Sequence, residues 1–165
     1  MIMSNRVLCL LVLISYNIAY AEVKVKNLWG MVAEVMNERS FTRTGIEKIM
    51  GVHFKEESKT DAQISFSSSG PALDNIRIDK VNLRNSSIAT RSGILVLDIS
   101  GSCVPLSEVK AQYPQLKITQ APRGGSLDDE TVFTSVSAWG EISFGFKEKN
   151  RDCLAAIIFE PKDNI

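Results

Sequence analysis

Histidine is the scarcest chemically versatile residue in this 165-residue chain, which contains only His53. A Ser-His-Asp enzyme needs a histidine that is oriented by a carboxylate and lies next to a nucleophile. Serine and aspartate are too numerous here for the sequence to single out such partners. We therefore interpret His53 as an ordinary histidine at the end of a strand, and a hydrolase is only the third functional hypothesis.

Recognisable metal and phosphate patterns are also missing. A zinc site usually needs three or four His, Cys or acidic ligands, and one histidine with two cysteines that suit a disulfide cannot supply them. The acidic triplet Asp128-Asp129-Glu130 lacks the alternating oxygen ligands of a calcium loop. No glycine-rich loop precedes a helix in a way that would hold a phosphate. The sequence therefore predicts no metal and no cofactor.

Neither sign of charge is in excess, since 19 basic residues balance 19 acidic ones. Nucleic acids and anionic membrane surfaces both favour a concentrated basic patch. The balance argues against either as the main partner. Because no repeat, long linker or low-complexity tract divides the chain beyond its first residues, we predict a single α+β domain over residues 22–165.

A long apolar run occurs only at the N-terminus. Val7 to Ile14 is unbroken, Arg6 precedes it, and Ala19-Tyr20-Ala21 offers small residues at positions −3 and −1 of a cleavage site. A membrane anchor needs roughly 20 apolar residues, and the polar sequence beginning at Ser15 interrupts this run too early. The pattern predicts a signal peptide at residues 1–21, cleavage after Ala21, and a soluble exported protein that does not contact the membrane afterwards.

Export gives the cysteines a meaning. Cys9 leaves with the signal peptide, so Cys103 and Cys153 remain in an oxidising compartment, where an even number favours a disulfide. Two unrelated buried thiols are the alternative. A bridge closing a loop of about 50 residues would remove roughly 4 kcal/mol of unfolded-state freedom. The lack of a Cys-x-x-Cys pair argues against a redox-active role.

Helical periodicity opens the mature chain. Apolar residues recur on one face over residues 28–38, which predicts an amphipathic helix. Thr44 and Glu47 have the spacing of a capping box, and Gly51 suits a left-handed helix end, so a second helix is predicted over residues 44–50.

Strand patterns dominate the rest, and one helix interrupts them. Pro105 suits a first helical position and Pro114 a stop, which predicts a helix over residues 105–112. The apolar run Ile94 to Ile99 is typical of a central strand covered on both faces. The other predicted strands lie near residues 63–67, 76–83 with a bulge or corner near Asp79 and Lys80, 115–119, 131–147 with a break around Trp139-Gly140, and 153–160. We predict an α+β fold in which the two N-terminal helices and the short inserted helix pack on one face of a mostly antiparallel sheet.

The segment from Gln120 to Glu130 is rich in proline and glycine and is long for a hairpin connection. Such loops often bind partners, and a tolerated insertion is the alternative. An arginine here would suit a partner's carboxylate, glycines would let the backbone conform to the partner, and the acidic triplet would suit a basic surface. Trp139 is either a core residue at a sheet bend or an exposed hot spot. The partner-binding candidates are Arg123, Gly124, Gly125, Asp128, Asp129, Glu130 and Trp139.

Several segments of the chain resemble a family. They are Cys103 to Val109, Tyr113-Pro114, Ala121 to Gly124, Trp139 to Phe146 and Asp152 to Leu154. They resemble small exported proteins of Gram-negative bacteria, some of which look like periplasmic immunity proteins against type VI secretion effectors. The helix pair before a sheet also resembles the modules of beta-lactamase inhibitory proteins. The resemblance implies a periplasmic protein that forms stoichiometric complexes.

Three functional hypotheses follow. The first is a periplasmic immunity protein or inhibitor that covers a secreted effector or envelope enzyme through exposed loops and a sheet face. The second is an envelope housekeeping or assembly factor with a constitutive protein partner. The third is the hydrolase considered above.

Overall fold

The computed structural model describes residues 27–87 and 92–163. The signal peptide expected at residues 1–21 lies outside the described residues. No helix within these two ranges is long and apolar enough to cross a membrane. The helices are α1 (Leu28–Asn37), α2 (Arg43–Met50) and α3 (Leu106–Gln112), and the strands are β1 (Lys55–Lys59), β2 (Gln63–Ser68), β3 (Ala72–Leu73), β4 (Ile76–Ser86), β5 (Ile94–Gly101), β6 (Lys117–Gln120), β7 (Glu130–Val136), β8 (Gly140–Lys147) and β9 (Leu154–Pro161).

Both N-terminal helices begin at a side-chain cap. Asn27 accepts a hydrogen bond from the backbone N–H of Gly30 at 2.7 Å, and Thr42 accepts one from that of Gly45 at 3.1 Å. The capping box predicted from Thr44 to Glu47 is therefore wrong, because α2 starts one residue before Thr44. Gly51 ends α2 in the left-handed region at φ 67°, as predicted.

The Glu47 carboxylate has a different role from the one expected. It accepts hydrogen bonds from the backbone N–H of Phe54 at 2.8 Å and from Arg43 Nε at 3.2 Å. The Phe54 hydrogen bond, followed by the Arg43 contact, lowers the pKa of Glu47. Arg43 in turn donates to the Phe54 carbonyl at 2.6 Å, so the pair fixes the chain that leads from α2 into β1.

The sheet is antiparallel at every strand pairing within the described ranges. Its order is β1-β2-β4-β5-β9-β8-β7-β6, and β3 pairs with β4. The register shift between Ile78 and Lys80 is the predicted bulge. With three helices and this sheet, the α+β prediction is confirmed.

One face of the sheet, the helix face, carries the core. Its buried apolar side chains form one cluster with those of α1, α2 and α3. The largest fully buried members include Phe144, Phe146, Phe159, Leu95 and Leu97. Ile142, Phe144 and Phe146 share this face as predicted, and Val109 anchors α3 to the cluster with no exposed surface.

Cys103 and Cys153 form a disulfide, as predicted. The Pro105–Cys153 bridge and the hydrogen bond from Leu154 N to the Val104 carbonyl, 3.0 Å long, lie beside it. The bond therefore joins the segment between β5 and α3 to the start of β9.

We call the opposite side of the sheet the open face. Leu95, Leu97 and Ile99 of β5 are buried, whereas Ile94 and Val96 remain partly accessible on the open face. The interpretation of β5 as a strand covered on both faces is therefore wrong. Ile94 and Val96 on the open face made the apolar run continuous, although both side chains stay partly exposed.

Candidate functional site

The loop from Ala121 to Asp129 is held in place by hydrogen bonds to the segment that follows β8. Glu148 N donates to the Asp129 carbonyl and Lys149 N to the Leu127 carbonyl, both at 2.9 Å. Within the loop, Asp129 N donates to the Ser126 carbonyl at 3.2 Å. These bonds fix the second half of the loop against the body of the protein.

Despite this anchoring, the loop presents exposed side chains. Leu127 is 69% exposed, one of three large apolar side chains that are this accessible within the described residues. Arg123 is exposed and is followed by Gly124, which has φ 78°. Gly124 and Gly125 are themselves exposed. The loop thus displays a cation and an aliphatic side chain on a partly fixed backbone.

The acidic triplet is divided between different environments. Asp128 pairs with Lys149 at 2.6 Å and lies 3.9 Å from Lys147, and the hydrogen bond from Lys149 is the main cause of its lowered pKa. Asp129 is partly buried. Two lysines of the same chain therefore compete with any basic partner for Asp128.

Glu130 belongs to β7, and its carboxylate lies on the open face. It occupies the space beside Gly145 that a side chain would otherwise fill. Burial is the main cause that raises its pKa, Lys147 opposes this shift, and Asp98 and Asp128 add to it. A raised pKa alone does not identify a site, since structural carboxylates also show it.

Trp139 lies at the other end of the β7–β8 hairpin, separated from Glu130 by the length of β7, roughly 20 Å. Its indole N–H donates to the Glu38 carbonyl at 2.9 Å, and its ring contacts Phe41 and Phe159. The other six candidates lie in the loop or at the start of β7, and Trp139 lies apart from them. Its contacts fasten the sheet to the segment that follows α1.

The middle of the open face has a floor of small side chains. Thr134 and Ser143 are only 4% and 8% exposed, although none of the described helices packs on this face, and their hydroxyls lie 2.7 Å apart. Thr119 extends the chain of hydroxyls, at 2.7 Å from Thr134. Gly145 and Ala156 continue the floor. The hydroxyls hydrogen-bond to one another. Because the side chains here are short, the middle of the open face is a shallow surface on which another molecule could lie.

The remaining chemistry-bearing groups are dispersed. His53 is exposed and shares a surface cavity with Ser67 and Lys80, and its ring makes no hydrogen bond to a carboxylate or hydroxyl in the described part of the chain. Likewise, no three His, Cys, Asp or Glu side chains within residues 27–87 and 92–163 are grouped so that they could hold a metal ion.

Comparison with known proteins gives no relative. No family model, no curated protein and no solved structure matches the chain.

The open face is the feature that sequence reasoning located least well. Alternation in β7 and β8 indicated which residues share the helix face, but this alternation does not mark Thr134 and Ser143 as buried. A second pattern in the sequence does. Small residues recur at alternate positions in β8, at Ser143 and Gly145, and in β9 at Ala156. Such a pattern indicates a sheet face on which the side chains are short.

Proposed function

We propose that this protein is a periplasmic immunity protein or inhibitor that neutralises a secreted effector or envelope enzyme by forming a stoichiometric complex. The observation that carries the proposal is the loop from Ala121 to Asp129, whose second half is anchored by backbone hydrogen bonds while Leu127 stays 69% exposed. A fixed loop loses little conformational freedom on binding, so more of the contact energy contributes to affinity.

The uncovered sheet face supports the same proposal. Stable protein interfaces bury about 800 Å² per partner, and a sheet face of several strands with an adjacent loop offers an area of that order. Export through the N-terminal signal and a disulfide in the mature chain fit a protein that works outside the cytoplasm.

The experiment has two arms. Tagged mature protein is used to capture partners from the periplasm, and each partner is then tested by calorimetry for one-to-one binding. A protein that is toxic in the periplasm when expressed alone, and harmless when this chain is coexpressed, would support immunity. A partner that is not toxic, and whose own assembly fails without this chain, would replace the proposal with a housekeeping role.

A second measurement addresses the hydrolase hypothesis. His53→Ala is compared with the wild-type protein in protection of cells and in hydrolysis of ester, peptide and glycoside substrates. Because His53 is exposed and has no hydrogen-bonded nucleophile in the described residues, the variant should behave like the wild type. Turnover that disappears in His53→Ala would contradict the binding proposal.

A further inference from the structure

A cavity of about 680 Å³ opens on the open face at the end of the sheet that is remote from the loop. Its lining includes Arg84 of β4, Ile94 of β5, Val136 of β7, Glu141 of β8 and Glu160 of β9. The cavity therefore extends across the sheet from β4 to β7, and it lies on the open face, on which none of the described helices packs.

The cavity displays apolar surface to solvent. Of its lining residues, Val136 is 67% exposed and Ile94 is partly exposed. Folding alone gives no reason for such exposure, because both side chains would gain by being covered. Exposed apolar surface in a concave site is typical of a contact with another molecule.

Two like charges face each other in the same cavity. Glu141 and Glu160 are directly opposite in the β8–β9 register, and both are exposed. Carboxylates placed in this way destabilise a sheet. Neither forms an ion pair with a basic residue of the described chain. The pair is therefore a local excess of negative charge that no basic residue within residues 27–87 and 92–163 neutralises.

The two described basic residues that line the cavity, Arg84 and Lys162, do not pair with Glu141 or Glu160. Arg84 Nε donates to Asn82 Oδ1 at 2.9 Å, which turns its guanidinium toward the neighbouring open-face residue of β4. Lys162 is exposed beyond the end of β9. Asp163, also at the cavity, accepts a hydrogen bond from Ser92 N at 2.9 Å and so adds to the negative side.

From these observations we propose that the cavity receives a lysine or arginine side chain from a loop of the partner protein, with its charge between Glu141 and Glu160 and its aliphatic stem against Val136 and Ile94. A long basic side chain fits both halves of the site because it buries its stem along apolar surface and keeps its head at a charged group. This inference rests on the proposed binding function, and it specifies the charge that the partner presents.

The test uses a probe that does not require the partner. Acetyl-arginine amide is titrated into ¹⁵N-labelled mature protein and followed by chemical-shift changes, with acetyl-glutamine amide as the uncharged probe. We expect saturable shifts at residues 136–141 and 158–163 with the arginine probe and much weaker ones with the glutamine probe. Equal shifts from both probes, or shifts confined to other residues, would overturn the proposal.

Variants separate the cavity from general negative charge. Glu141→Gln combined with Glu160→Gln removes both charges with almost no change of shape, and should weaken binding of the arginine probe at least threefold. Glu56→Gln is the matched control, since Glu56 is an exposed carboxylate on edge strand β1. An equal loss in the control would contradict the assignment.

The partner, once captured, provides an independent readout. The double variant should bind it more weakly at low salt, and the difference should shrink at high salt because a charge contact is screened. If the partner binds but the double variant binds it equally well, the cavity assignment fails and the binding function stands. If the arginine probe binds as expected but no partner exists, the binding function fails instead.

Discussion

The Glu130 carboxylate lies against Gly145 of the neighbouring strand, in the space where a side chain at position 145 would stand. Gly145 therefore accommodates Glu130 on the open face. Burial there raises the pKa of Glu130, and Asp98 and Asp128 raise it further. The price of this placement is a carboxylate that is harder to ionise in the folded state.

This relationship predicts a pH-dependent effect of Glu130→Gln. Because the pKa of Glu130 is higher in the folded than in the unfolded state, the folded state binds the proton more tightly. The stability that this proton contributes is complete below the pKa of the unfolded state, and it is lost as the pH rises through the pKa of the folded state. We expect Glu130→Gln to unfold at higher urea concentration than the wild type at pH 7. The advantage should vanish below the pKa of an unfolded glutamate, about 4.3.

Urea unfolding at pH 3.5 and pH 7 measures the effect, and Glu56→Gln serves as the control because it makes the same change at an exposed position on edge strand β1. A Glu130→Gln variant less stable than the wild type at pH 7 would show that the carboxylate makes a favourable contact there, contrary to this argument.

The position of the helix α2 cap gives a second prediction. Thr42 accepts the hydrogen bond from Gly45 N, whereas Thr44 lies inside the helix and is exposed. Thr42→Ala should lower the free energy of unfolding by about 1 kcal/mol, the usual loss for a threonine cap. Thr44→Ala is the matched control and should leave stability unchanged or slightly higher, since alanine is the better helix former. The opposite ranking in denaturant unfolding would restore the capping box.

The wrong capping box at α2 shows the limit of predictions from local sequence patterns. Thr42-Arg43-Thr44-Gly45 offers two threonines as caps, and the spacing of Thr44 to Glu47 favoured the wrong one. Which threonine caps the helix depends on Phe54, because its backbone N–H donates a hydrogen bond to the Glu47 carboxylate from outside the helix. Glu47 is then not used in a capping box. A tertiary contact seven residues away is not visible in a capping motif.

The charged edge strand β1 was missed for a similar reason. Its sequence Lys55 to Lys59 has no apolar alternation, and all five residues are exposed. The strand exists because β2 offers it a backbone ladder, as in Lys55↔Ser67. Its charges also protect the edge from pairing with other chains. By contrast, β7, β8 and β9 were predicted well because their alternation follows directly from one buried face.

The sequence predicted that the candidate site is a loop, but it did not predict how that loop is held in place. Proline and glycine between Gln120 and Glu130 indicated a connection, and the sequence named Arg123 within it. The hydrogen bonds from Glu148 and Lys149 that hold the loop come from the segment after β8. Their pairing with the loop depends on the closure of the β7–β8 hairpin, which residue types alone do not specify.

The disulfide gives a third prediction. The Cys103–Cys153 bond has a sequence separation of 50 residues, and it restricts the unfolded chain accordingly. Replacing both cysteines by alanine should reduce the free energy of unfolding by roughly 2 to 5 kcal/mol. Urea unfolding of the mature oxidised protein and of the double variant measures this. Thiol labelling of the denatured, unreduced mature wild type should find no free thiol, and two labelled cysteines would contradict the bond.

The last prediction concerns the exposed loop. Arg123 and Leu127 project from a segment whose second half is fixed by main-chain hydrogen bonds, so neither side chain is needed for folding. Arg123→Ala and Leu127→Ala should therefore change stability by less than about 0.5 kcal/mol. Each should weaken the complex with the captured partner by about 1 kcal/mol or more, the size of a modest hot spot.

The controls match each change with an exposed residue of similar type outside the loop. Arg39→Ala removes an exposed arginine between α1 and α2, and Ile118→Ala shortens a side chain that is 62% exposed on edge strand β6. Calorimetric titration of all four variants against the partner compares them directly. If the loop binds, the two loop variants lose affinity and the controls do not. Wild-type affinity in both loop variants would remove the loop from the interface and leave the open face to account for binding.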